Sequence, residues 1–166
     1  FMGSGCFSGG QCGKDAESAV LQDLIGHACK GVAQYAHLAR RLGAADPEVD
    51  RSVMDALFAT LTNVNFDPEQ LGGIADALAE TRDRARELYQ KASRKAGKEP
   101  ERLTGPAAWK PEEDLEQMVQ QAGAIGIKAR MVRTDPDQLS LQELIHYGLK
   151  GLAAYAYHAQ VLGITD

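Results

Sequence analysis

Two stretches of this chain, 120 residues apart, can be laid over one another, and no other feature constrains its fold as tightly. Leu21-Gln22-Asp23-Leu24-Ile25 matches Leu141-Gln142-Glu143-Leu144-Ile145, and Lys30-Gly31 matches Lys150-Gly151. Ala33, Tyr35, Ala36 and Ala39 match Ala153, Tyr155, Ala156 and Ala159, and Leu42-Gly43 and Leu162-Gly163 close both stretches. In the first, Leu21, Ile25, Ala28, Val32, Tyr35, Ala39 and Leu42 recur at four- and three-residue steps, which draws one apolar stripe along a helix. The glycine after each stripe reads as a helix terminator. The chain therefore carries two copies of one helical unit.

The remaining segments are read against those copies. Pro47 suits a first helical turn, and Val53, Ala56, Leu57, Thr60 and Leu61 carry a second, shorter helix that Asn63-Val64-Asn65 breaks. Asp67-Pro68-Glu69 opens a third, with Leu71, Ile74, Leu78 and Leu88 among its apolar positions, fading near Gly97. Residues 99–110 hold two prolines and a glycine and form a connection, pinned to the helices by Trp109. Pro111-Glu112-Glu113-Asp114 starts a short helix to about Ala122, Ile127-Lys128-Ala129-Arg130 reads as a loop, and a last helix runs from Asp135-Pro136-Asp137 through Leu162. The expected fold is all-α. A glycine-rich cysteine loop occupies 1–15, a three-helix bundle 16–98, a linker with one short helix 99–134, and the first helix of a second, repeated bundle 135–166. The chain opens on Phe1 and stops soon after the second shared helix, so it is expected to be a piece cut at both ends. That would leave the stripe Leu141, Ile145, Leu152, Tyr155 and Leu162 without a cover.

With 44% hydrophobic and 25% charged residues, the chain has the balance of a globular domain rather than a disordered or disulfide-stapled one. At 166 residues it can bury a proper core without a metal to hold it together. No run of about 18 apolar residues would span a membrane, and no signal peptide opens the chain, so a cytoplasmic location and no membrane partner are expected. A net charge of −5 argues against nucleic acid as a partner, since such binding draws on Lys and Arg against phosphates. The cationic run from Arg82 to Lys98 is interspersed with acids and reads as a solvated helix face.

Cys6 and Cys12 stand in the glycine-rich stretch Gly5-Cys6-Phe7-Ser8-Gly9-Gly10-Gln11-Cys12-Gly13-Lys14. Converging thiolates need sharp turns and free backbone amides, which glycine permits, and Lys14 favours the thiolate by its charge. By spacing alone the pair is either half of a metal site or two ordinary thiols able to form a labile disulfide. Cys29 reads as a small buried hydrophobe. The four histidines, His27, His37, His146 and His158, lie on the repeated helices but out of register, which speaks against a di-iron or zinc bundle. The acidic pairs at helix starts are caps, and no phosphate-binding glycine loop or serine triad is present.

The run Cys6-x5-Cys12-Gly13-Lys14, followed by Leu21-Gln22-Asp23-Leu24, Lys30-Gly31, Tyr35-Ala36 and the tract from Leu57 to Asp67, resembles the N-terminal region of the hybrid-cluster (prismane) proteins, the hydroxylamine reductase family. Gly148 to Ala156 resembles the family's second helical unit, so the similarity covers nearly the whole chain. The resemblance implies a helical N-terminal domain in which four cysteines hold a cubane (4Fe-4S) cluster, or in some members a two-iron (2Fe-2S) one. Cys6 and Cys12 match the third and fourth of these, and the first pair would precede Phe1. The hybrid cluster takes its ligands from later domains, so the implied role here is electron transfer to those domains from an electron donor, with no hydroxylamine reduction by this chain alone. A rival reading makes the chain a cluster-free helical assembly module that self-associates through the uncovered stripe. The related carbon monoxide dehydrogenases are a second enzyme reading, against which the tract from Leu57 to Asp67 speaks.

Overall fold

A computed structural model describes residues 12–61 and 64–164 and shows an all-α fold. Helix α1 spans Ala16–Arg41, α2 Pro47–Ala59 and α3 Pro68–Lys95. After a 3-10 turn at Gly105–Ala108 come α4, Leu115–Ile125, the single-turn α5, Ile127–Met131, and α6, Pro136–Val161. No described helix is long and apolar enough to cross a membrane.

Aspartate starts these helices. Asp15, Asp46, Asp67, Asp114 and Asp135 cap α1, α2, α3, α4 and α6 with side-chain oxygens that accept N–H bonds from the first turn, and proline follows Asp46, Asp67 and Asp135. Both repeated helices end at a glycine in the left-handed region, Gly43 at φ 79° and Gly163 at φ 78°. The shared stop is thus a shared backbone conformation.

The core forms around α1. Leu21, Leu24, Ile25, Val32 and Ala39 are fully buried and meet Leu71, Ala75, Leu78 and Ala85 of α3, with Val49 and Ala56 from α2 and Met118 and Ala122 from α4. Tyr35 and Tyr89 close one end with ring centroids 6.2 Å apart. Trp109 is buried against α1, its ring edge-on to His27 at 6.4 Å and its Nε1–H donating to Gln121 Oε1 at 2.8 Å. The connection is pinned as its tryptophan suggested.

Two local readings need correction. Ile127–Arg130 is not a loop but the turn α5, because Asp23, 104 residues earlier, accepts the Ile127 N–H at 2.9 Å and so caps it from another helix. A cap that distant leaves no mark in the local sequence. The cationic run from Arg82 to Lys98 is a solvated face at Arg84, Arg86, Lys91, Arg94, Lys95 and Lys98, but not at Arg82. Arg82 is 5% exposed, its guanidinium held by Asp83 at 2.8 Å.

Helix α6 docks mainly on α2 and also meets α5, using Leu139, Glu143, His146, Lys150, Ala153 and Tyr157, a face at four- and three-residue steps. Tyr157 stacks on Phe58 at 4.2 Å, and Arg130 of α5 pairs with Glu143 at 2.6 Å. The stripe that α6 shares with α1 points elsewhere: Leu141, Ile145, Leu152, Tyr155 and Leu162 are 62–81% exposed.

Candidate functional site

In the tract from Leu57 to Asp67, Leu57–Ala59 end α2, and Asn65 and Phe66 lie over the start of α1. Ser18 Oγ donates to the Phe66 carbonyl at 3.2 Å, and Gln22 Nε2 to the Asn65 carbonyl at 3.0 Å. Both side chains are buried on α1, where an unpartnered polar group would be costly. Asn65 Oδ1 accepts the Asp67 N–H at 2.9 Å, which sets Asp67 to cap α3. Turn, cap and helix start are thereby locked together, and Thr60 is left buried with its carbonyl facing α6.

A cavity of about 160 Å³ opens between this tract, α1, the α4–α5 junction and α6. Cys12 stands exposed at its rim. Lys14 and Lys150, each 9% exposed, also line it: Lys14 Nζ donates to Gln22 Oε1 at 2.5 Å and Lys150 Nζ to the Thr60 carbonyl at 3.5 Å. The Lys150 ammonium also lies 5.4 Å from the centre of the Tyr147 ring. Burial holds Lys150 below the usual lysine range, with Asp23 opposing that shift. Burial likewise pushes the Asp23 carboxyl up, against the bond from Ile127 and the charge of Lys150.

Beside this lies a second polar cluster, where α1 faces α5 and α6. His146 packs on Gly26, which leaves room for the ring because it has no Cβ. Burial, with Lys150 and Lys30 adding to it, lowers His146 to about 4, and its buried Nε2 has no hydrogen-bond partner. Burial and Lys30 also lower His27. By the 120-residue repeat, Gly26 and His146 are the same position, as are Asp23 and Glu143, and Lys30 and Lys150. Equivalent positions of the two copies therefore meet across this interface. Asp23 acts on Lys150, and Glu143 on Lys30.

Of the two cysteines singled out as ligands, Cys12 is at the cavity rim and Cys6 lies outside the described residues. Cys29 is buried on α1, its thiol pushed up to about 12 by burial, and behaves as a small apolar side chain. Among the described residues no group of three His, Cys, Asp or Glu side chains could hold a metal ion. Further donors for a cluster on Cys12 would have to come from residues not described. What the described residues do fit is the charge of a thiolate-bound group: one exposed thiol beside two buried ammonium groups. Sequence reasoning noted Lys14 but missed Lys150. The one signal for it was the repeated Lys-Gly pair.

A family model described as the Prismane/CO dehydrogenase family matches residues 2–166. The chain belongs to that family. The hydroxylamine reductase of Burkholderia ambifaria (strain MC40-6) is 46% identical over 160 residues, covering 96% of this chain and 29% of that protein. The hydroxylamine reductase of Acidithiobacillus ferrooxidans is 45% identical over 162 residues, 97% of this chain and 29% of that protein, and that of Geobacter sulfurreducens 45% over 166 residues, 99% and 30%. The chain spans less than a third of the length of these curated relatives.

Proposed function

We propose that this family member is the cluster-bearing, electron-transferring part of an iron–sulfur oxidoreductase similar to the hydroxylamine reductases, with Cys6 and Cys12 as thiolate ligands. The observation that carries the reading is Cys12 itself. It is an exposed thiol at the rim of a cavity lined with lysines, in a chain about 45% identical to hydroxylamine reductases along almost all its length. A bound iron–sulfur cluster, cubane or two-iron, supplies one-electron transfer, and its potential depends on nearby charge, hydrogen bonds to sulfur and solvent exposure. The residues here do the holding and tuning. Reduction of hydroxylamine belongs, in this proposal, to the full length of such a protein, with the remaining domains as partners and an electron donor outside it.

Iron and acid-labile sulfide per chain, measured on protein prepared without oxygen, test this. About four iron per chain means a cubane and about two a two-iron centre or one shared between chains. No iron, together with no visible absorption, sinks the reading.

A second reading rests on the exposed stripe of α6. Leu152 and Tyr155, 65% and 81% exposed, belong to an apolar face long enough to seek a cover. We infer that a second copy of the chain supplies it when nothing else does, and sedimentation checks this.

A further inference from the structure

A lysine ammonium is rarely buried without a counter-ion, because leaving water costs it several kcal/mol. Two are buried here in one cavity, Lys14 and Lys150, and their hydrogen-bond partners are neutral oxygens of Gln22 and Thr60. Among the described residues no carboxylate lies within 4.0 Å of either ammonium. Of the residues outside the described ones, 1–11, 62, 63 and 165 contain no Asp or Glu, and Asp166 is the one acid among them. Asp23, on the cavity wall, and Glu143 act on Lys150 only from beyond contact distance, and the Asp23 carboxylate caps Ile127 while burial disfavours its charged form. The cavity therefore holds an excess of positive charge. Cys12 is placed at its rim, and a thiolate-ligated cluster is an anion of the kind that charge would receive.

We propose that Lys14 and Lys150 form the electrostatic seat of the anionic iron–sulfur cluster on Cys12, and that Lys150 is the positioning residue through which the second helical unit raises the cluster's reduction potential. This rests on the electron-transfer reading above. Lys14 comes from the segment that carries the cysteine. Lys150 comes from α6 and reaches the carbonyl of Thr60 in the tract from Leu57 to Asp67. The site of the first unit is thus completed by the second copy of the repeat.

The test compares the chain with its Lys150→Met and Lys150→Arg variants, first without iron and then after anaerobic assembly with ferrous iron and sulfide. Without iron, Lys150→Met melts higher than the unsubstituted chain, since Met fills similar space without a buried charge. A melting temperature at or below the unsubstituted one overturns the claim that this ammonium lacks a counter-ion in contact with it. With the cluster, the order reverses. Lys150→Met gains less on assembly, loses iron to a chelator roughly tenfold faster, and has a more negative midpoint potential, while Lys150→Arg restores both. Equal midpoint potentials in three loaded proteins overturn the role of Lys150 and leave the electron-transfer reading standing. No iron in any of the three overturns both. A rise in melting temperature with sodium sulfate that equals the rise on cluster assembly and is lost in Lys150→Met assigns the cavity to a free oxyanion and overturns the proposal.

Discussion

Cys12 and Cys29 have one functional group and opposite environments. Cys12 is exposed beside Gly13 and Lys14, whereas Cys29 is 4% exposed under the helices, its thiol pushed up to about 12. The thiolate is the reactive species, so a maleimide or disulfide reagent at mild alkaline pH is expected to label native protein at Cys12 and to spare Cys29. Mass spectrometry of labelled peptides checks this, and rapid native labelling of Cys29 would contradict it. The same burial has a pH signature. An unfolded chain ionises Cys29 near the ordinary thiol value while the folded chain keeps it protonated to about 12, so the folded state binds more protons across that window. Stability therefore falls as pH rises through it, and Cys29→Ala is expected to lessen the alkaline fall in melting temperature. From the sequence, Cys29 was readable as buried because it lies next to the stripe residue Ala28. The ammonium that lines the cavity behind Cys12 was not, because Lys150 is 138 residues away and nothing local marks a lysine as buried.

At the scale of the helices, the repeat offers an internal control. Gly31 and Gly151 occupy the same position of the two copies, but their surroundings differ. A Cβ on Gly31 would run into the Pro106 carbonyl, a backbone atom of the 3-10 turn that cannot swing aside, whereas a Cβ on Gly151 meets nothing within 4 Å. Gly31→Ala is expected to cost about 2 kcal/mol through overpacking. Gly151→Ala is expected to add up to about 1 kcal/mol from helix propensity. Urea unfolding of both variants settles the contrast, and equal effects in one direction would refute it. The glycine of α1 is a packing requirement, and that of α6 is an open position on a helix face. Most helix starts were legible, since an aspartate followed by proline is both a cap and a first turn. The turn α5 was not, because its cap comes from Asp23 on α1.

For the whole molecule, the decisive fact is which face each copy uses. Helix α1 buries the shared stripe under α3, while α6 docks through the face of His146 and Lys150 and leaves its stripe exposed. Burial is worth about 25 cal/mol per Å² of apolar surface, so a stripe of this length favours association strongly enough to see in solution. Sedimentation at tens of micromolar is expected to give a mass above the monomer, and Ile145→Asp with Leu152→Asp to return it to the monomer. A strictly monomeric profile for the unsubstituted chain would remove the second reading. By itself the sequence determined the helical class, most helix starts and stops, and the repeat, because caps, prolines, glycines and apolar spacing act within a few residues. Only the tertiary structure decided that the repeated helices meet through equivalent positions, that the tract from Leu57 to Asp67 is tied to Ser18, Gln22 and Lys150, and that two lysines share a cavity with Cys12. Those pairings join side chains that only the packed chain brings together, and the cost of burying a charge depends on what surrounds it rather than on what precedes it in sequence.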